Sequence, residues 1–238
     1  MKCLGNKDSR YKRHLPDAYL EGNLEPPADD MRCEIKEQIL EQLNEEERRN
    51  VIVTIANYNI KYERVLSGSP RKGGNTDQLV QAFVEGAEKN NTVEVFSIED
   101  YKVNPCIGCN TCFERNGHAC FQQDDMQIIY EKLKSADVFV IASPVYFYGV
   151  SAQLKAVIDR LHTPMRNEFT IKKLALILVG AATLPELFDA IKVQYQMVLN
   201  FFKLEDAGMV LVRDAKDKGD VRNTDGLKEA YELGKTIM

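Results

Sequence analysis

Tryptophan is absent from this 238-residue chain, the one oddity in a composition that is otherwise ordinary for a globular protein, 44% apolar and 28% charged. Long apolar runs are absent too. No stretch of about 18 apolar residues occurs, which excludes a transmembrane helix. The first ten residues, Met-Lys-Cys-Leu-Gly-Asn-Lys-Asp-Ser-Arg, lack the apolar segment of a secretory signal, so the chain is expected in the cytoplasm. Positive charge is in deficit: 31 Lys and Arg against 36 Asp and Glu leave a net charge of −5. That balance speaks against nucleic acid and anionic membranes as main partners. There is no internal repeat and no low-complexity tract. Two nucleotide fingerprints are also missing, the dinucleotide pattern G-x-G-x-x-G and the phosphate-loop pattern G-x-x-x-x-G-K-[ST].

What is present divides at about residue 50. Residues 1–50 read as an appendage. Its first thirty residues are polar and irregular, with Pro16, Pro26 and Pro27 and a basic patch of Arg10, Lys12, Arg13 and His14. A short amphipathic helix is expected over 31–49, with Ile35, Ile39, Leu40 and Leu43 on one face and Glu37, Glu41 and Glu45 to Glu47 on the other. Cys3 and Cys33 read as ordinary thiols.

From residue 51 strands and helices alternate. The β-branched run 51–56 is a strand candidate. The polar stretch 57–64 leaves two options, one strand continuing to Leu66 or two strands with a turn between them. A helix follows with Leu79, Ala82, Phe83 and Gly86 at helical spacing, then a strand at 92–98. Asp124 or Asp125 is placed to cap a helix carrying Met126, Ile129 and Leu133. Residues 138–142 form a continuous apolar run, as expected of a strand buried on both faces. Ser151 is placed to cap a helix with Leu154, Val157, Ile158 and Leu161. A strand at 174–179, a long helix over 184–203, a strand at 207–212 and a helix over 225–238 complete the chain. Five such repeats imply a parallel sheet covered by helices on both sides.

Two loops sit where strands hand over to helices. The first is Ser67-Gly-Ser-Pro-Arg-Lys-Gly-Gly-Asn-Thr76. Its glycines permit tight turns. Ser67, Ser69, Asn75 and Thr76 offer hydroxyl and amide donors, Arg71 a forked cation, and the following helix its N-terminal N–H groups. Together these suit a phosphate monoester. The second loop is Pro144-Val145-Tyr146-Phe147-Tyr148-Gly149, at the carboxyl end of a buried strand, where open α/β sheets place ligands. Its aromatics offer a flat surface on which a tricyclic ring can stack. Residues 180–183, Gly-Ala-Ala-Thr, form a weaker third candidate.

Between these loops lies a cysteine-rich insertion, 103–125, with Cys106, Cys109, Cys112 and Cys120 spaced C-x2-C-x2-C-x7-C. Clustered cysteines in a reducing compartment are more often metal-binding or catalytic than disulfide-bonded. Three thiols within seven residues, closed by a fourth, match iron–sulfur ligation. Four thiolates also suit zinc. Unliganded thiols or a redox disulfide stay open as well. His118 reads as a loop residue rather than a ligand. The insertion follows the second strand, so it is expected at the same sheet edge as 67–76 and 143–149.

The first loop, together with Ser143-Pro-Val-Tyr-Phe-Tyr-Gly-Val-Ser151 and the following Leu154, Lys155, Asp159 and Arg160, resembles the NAD(P)H-dependent FMN reductase branch of the flavodoxin-like superfamily. With the four cysteines between them, the chain is similar to the iron–sulfur flavoproteins of that branch over roughly residues 64–238. The resemblance implies an α/β, flavodoxin-like three-layer fold over 51–238, with a five-stranded parallel sheet ordered 2-1-3-4-5. It implies FMN, with its phosphate held by Ser69, Arg71, Asn75 and Thr76 and its isoalloxazine by 144–149. It implies a 4Fe–4S cluster on the four cysteines, ferredoxin or NAD(P)H as electron donor, and a small-molecule acceptor such as O2, peroxide or a quinone. It also implies a homodimer or homotetramer whose clusters lie near a neighbour's FMN. No side chain is assigned acid or base work, because the cofactors carry the chemistry.

Overall fold

The computed structural model describes residues 62–118 and 120–237. The helix expected at 31–49, the apolar run 51–56, Cys3 and Cys33 lie outside the described residues. Five strands form one sheet: β1 Tyr62–Ser67, β2 Thr92–Ser97, β3 Val138–Pro144, β4 Lys173–Val179 and β5 Glu205–Val212. All pairings are parallel and the order is β2-β1-β3-β4-β5, as the resemblance implied. Helices α1 Asn75–Ala87, α2 Thr111–Glu114, α3 Met126–Lys134, α4 Ala152–Arg160, α5 Asp189–Phe202 and α6 Gly226–Thr236 connect and close the repeats.

The strand sequences account for the layers. Successive side chains point to opposite faces. In β4, Leu174, Leu176 and Leu178 join one core with α3, α4 and α5, while Ala175, Ile177 and Val179 join a second core with α1 and α6. Strand β3 alternates likewise and is buried at all seven positions. Each fully buried Leu, Ile or Phe contributes on the order of 2 kcal/mol. Helices α1 and α6 approach backbone to backbone, since a Cβ on Gly86 would stand 2.1 Å from the Tyr231 carbonyl and one on Gly234 2.1 Å from that of Phe83.

Two sequence expectations are resolved or corrected. The strand that leads into the first loop is 62–67, and its polar lead-in belongs to it. Glu63 is fully buried, and desolvation pushes its carboxyl up to about 8, so the group is neutral at pH 7. Arg64 pairs with Glu94 on β2. A buried Glu63, whose carboxyl oxygens have no hydrogen-bond partner among the described residues, and a paired Arg64 make a strand that alternation of apolar residues does not reveal. The helix expected from 184 begins at Asp189 instead. Residues 184–188 form turns, with the Leu187 N–H donating to Leu184 and the Asp189 N–H to Glu186. Pro185 disfavours helix at the residue before it. Leu187 is buried all the same, which extends the apolar spacing beyond the helix.

Strand β1 ends at Ser67, opposite Ala142, and Pro144 ends β3 opposite Val179. The loops after β1, β3 and β4 therefore leave one edge of the sheet. The chain reverses its direction of travel across the sheet between β1 and β3, and such switch points are where open sheets bind ligands.

Candidate functional site

The loop after β1 is pinned by its own side chains. Asp77, in the first turn of α1, accepts from the Ser67 hydroxyl (2.9 Å) and from the Gly73 N–H (2.6 Å). Ser69 Oγ donates to the Arg71 carbonyl (2.9 Å) and accepts from the Arg71 N–H (3.2 Å). Asn75 Nδ2 donates to the carbonyls of Ala215 (3.1 Å) and Asp217 (2.8 Å), and its Oδ1 accepts from the Gly219 N–H (2.7 Å). So the side chains of Ser67, Ser69 and Asn75 shape the loop, whereas the sequence suggested that they point at a ligand. What faces outward is backbone and cation. Gly74 precedes α1 without a side-chain cap, leaving the first N–H groups of the helix open. The exposed Arg71 accompanies them, while Thr76 is buried in the first turn. Oriented N–H groups with partial positive charge and a nearby guanidinium form an anion cradle.

Beside it, the loop after β3 closes as a two-residue hairpin. Tyr146 and Gly149 exchange hydrogen bonds of 2.9 and 3.1 Å. Phe147 and Tyr148 take φ of 48° and 64°, as a type I′ turn requires. That conformation costs a bulky residue about 1 kcal/mol or more, and such strain gathers at ligand sites. Phe147 is 97% exposed, with Tyr146 and Tyr148 at 42% and 45%. These aromatics are therefore not core, and their exposed apolar surface fits a stacked ring at this edge. Residues 180–183 leave the same edge, tied to the loop after β5 by the Ala215 N–H on the Gly180 carbonyl (3.1 Å).

Helix α4 links this region to the cysteines. Its cap Ser151 accepts from the Leu154 N–H and donates to the Gly68 carbonyl (2.6 Å). Gly68 lies so close to Leu154 that a Cβ there would stand 2.6 Å from its side chain. At the other end of α4, Arg160 Nη1 donates to Asp124 and to the Asn104 carbonyl (3.2 Å). Asp124 accepts in turn from the Asn104 N–H (2.8 Å) and the Met126 N–H (3.3 Å). Of the two helix-capping candidates, Asp124 thus binds the first turn of α3, while Asp125 accepts from the Lys102 N–H (2.7 Å). Burial works against the charge on Asp124, but Arg160 and the Asn104 N–H outweigh it and hold the carboxyl below its usual range. The buried Arg160–Asp124 pair fastens both feet of the cysteine loop.

All four cysteines are free thiols and line one cavity of about 150 Å³, together with Tyr130, Arg160, His162 and Thr163. Cys106 and Cys109 are exposed; Cys112 and Cys120 are half-buried. Thr111 Oγ1 donates to Cys109 Sγ (3.2 Å), and that bond lowers the thiol pKa, favouring the thiolate that metals bind. Among the described residues no three His, Cys, Asp or Glu side chains converge on a single-ion site. The ring of His118 meets the Cys112 carbonyl (3.1 Å), and Thr163 donates to the His118 carbonyl (3.0 Å), so it acts as a loop residue.

The cysteine loop follows β2 and leaves the same sheet edge as the loop after β1, as expected. It then folds back over the helices. The cavity meets the C-terminal end of α4, and the phosphate loop meets its N-terminal cap. Nine helical residues separate them, a rise of about 13 Å. The sequence offered Asp124 only as a helix cap and assigned no role to Asp77, Thr163, Lys218 or the 215–219 loop. Arg160 was visible only as part of a shared pattern. Their partners lie 2 to 144 residues away, and only the Asp77 contacts and the turns from Asp124 to Met126 and from Thr163 to Met165 are local enough to be sought in a sequence.

Residues 64–215 match the NADPH-dependent FMN reductase family. An iron–sulfur flavoprotein of Methanocaldococcus jannaschii is 37% identical over 72% of this chain and 93% of its own length. An NAD(P)H:quinone oxidoreductase of Solanum tuberosum is 30% identical over 48% of this chain and 56% of its own. Among solved structures, an NAD(P)H:quinone oxidoreductase from Methanothermobacter marburgensis superposes with a TM-score of 0.61 at 15% identity, covering 75% of this chain and all of that one, a likeness of fold.

Proposed function

The chain belongs to the NADPH-dependent FMN reductase family, on its iron–sulfur flavoprotein branch, and is an FMN-dependent oxidoreductase; from that premise we propose that it passes electrons between a one-electron donor of ferredoxin type, a 4Fe–4S cluster and FMN to a small oxidant. The observation that carries this reading is the cavity lined by four free thiols at one end of α4, whose other end braces the phosphate loop. In it, Cys106, Cys109, Cys112 and Cys120 ligate the cluster. The open N–H groups of Asn75 and Thr76, with Arg71, bind the flavin phosphate. Ser67, Ser69 and Asn75 keep that loop in shape. The loop from Pro144 and Val145 through Tyr146, Phe147, Tyr148 and Gly149 presents the surface for the isoalloxazine. FMN takes up two electrons and releases them singly, and a cluster carries one at a time. The protein holds both groups, and Arg160 with Asp124 positions the loop that carries the thiolates. Location in the cytoplasm and assembly as a homodimer or homotetramer belong to the same proposal. No described helix is long and apolar enough to cross a membrane.

A second reading, an NAD(P)H-dependent FMN or quinone reductase without a cluster, is favoured by the name of the Solanum tuberosum relative. Anaerobically purified protein decides between the two. Iron and acid-labile sulfide near four per chain, with one FMN, supports the first. Yellow protein without iron, reduced rapidly by NADPH alone, overturns it in favour of the second.

A further inference from the structure

The loop after β5 carries a cation that none of the assignments above uses. Lys218 is exposed, and among the described residues it forms no ion pair or hydrogen bond. Its Nζ lies 3.1 Å, and its Cε 3.6 Å, from the point where a Cβ on Gly73 would stand. Gly73 has φ of +65°, so a side chain there would be strained, and its Cβ would crowd the ammonium. The glycine thus leaves room for the lysine over the phosphate loop. The approach is fixed from the other side by Asn75, whose three hydrogen bonds to Ala215, Asp217 and Gly219 bracket residue 218. Lys72, nearer in sequence, is turned away to Asp100 at 3.1 Å.

We propose that Lys218 is a ligand of the flavin's terminal phosphate, delivered to the phosphate loop by Asn75. This rests on the FMN reading above. A phosphate monoester carries nearly two negative charges at neutral pH. Arg71 and Lys218 supply two cations beside the open N-terminus of α1, which matches a monoester dianion. Riboflavin has no phosphate and FAD carries its phosphates as diesters, so the pair also selects FMN over both. The sequence pointed to Asn75 as a phosphate ligand; the structure makes it the clamp that brings one.

Flavin binding by the flavin-depleted full-length chain tests this, read by fluorescence quenching with FMN and with riboflavin. Lys218→Ala is expected to weaken FMN about tenfold and leave riboflavin unchanged, and Lys218→Arg to retain FMN within about twofold. Unchanged FMN affinity in Lys218→Ala, or an equal loss for both flavins, overturns the assignment. In an Asn75→Ala background, Lys218→Ala is expected to add nothing; independent, additive losses overturn delivery by Asn75. Wild-type protein that fails to bind FMN overturns the functional reading itself, whatever the variants do.

Discussion

The phosphate loop and the cysteine loop sit at opposite ends of α4 and are built on opposite principles. The phosphate loop offers mostly backbone. Its side chains face inward, to Asp77, to the Arg71 peptide and to residues 215–219, so the cradle is formed before any ligand arrives. The cysteine loop offers side chains. Its thiols are exposed or half-buried, and the loop is fastened at its feet by Arg160 and Asp124. One site is preorganised by its own hydrogen bonds, local at Asp77 and long-range at Asn75, and the other depends on a buried ion pair and on what the thiolates hold.

The largest expected effect separates the two sites outright. Cys109→Ala removes one of four thiolates, and iron content should collapse while FMN stays near one per chain. Equal loss of flavin, measured by absorbance and metal analysis, would break the separation. Next is Arg160→Met. Removing one partner of a buried pair leaves Asp124 uncompensated, at a cost of about 3 kcal/mol. Chemical denaturation should show that loss. Iron should fall far more than FMN, because the loop loses its fastening while the α4 cap is untouched.

Glu63→Gln serves as a control remote from both loops. Folded Glu63 holds its proton up to about 8, against an ordinary value of 4.5, so ionisation is resisted by the fold. Raising pH from about 4.5 to about 8 therefore removes stability from the wild type. The glutamine variant should escape this and be more stable by roughly 4 kcal/mol at pH 8.5, against less than about 1 kcal/mol at pH 5. Flavin and iron stoichiometry should not change; if they do, β1 couples to the sites in a way its contacts do not show. The smallest effect is expected from Ser151→Ala, which deletes a helix cap and the bond to Gly68. Stability should drop by about 1 kcal/mol, and FMN affinity by a few-fold, with iron retained. An iron loss exceeding the flavin loss would reverse the comparison.

The buried runs of β3 and β4 were legible because parallel strands covered on both faces must be apolar throughout, and the loops were legible because they cluster rare chemistry in a few residues. β1 was not, because burial turns Glu63 into a neutral group and Glu94 answers Arg64, and neither fact has a local signal. The start of α5 was misplaced because Leu187 continues the apolar spacing through turns set by Pro185. The 2-1-3-4-5 order was readable by resemblance, not from periodicity.

For the sites, the sequence by itself determined the chemistry available: four thiols in one loop, hydroxyls, an amide and a guanidinium in another, aromatics in a third. Spacing along a loop limits which side chains can meet, and that much is local. Tertiary structure alone decided which groups face a ligand. It turned Asn75 and Ser67 inward, exposed Phe147 and Tyr148 on a strained turn, and brought Lys218 over Gly73. It also set the cysteine cavity against the far end of α4, because Arg160 can reach Asn104 and Asp124 only when the loop folds back over the helices. Such contacts arise from packing across as many as 144 residues of chain, and no window of sequence contains them.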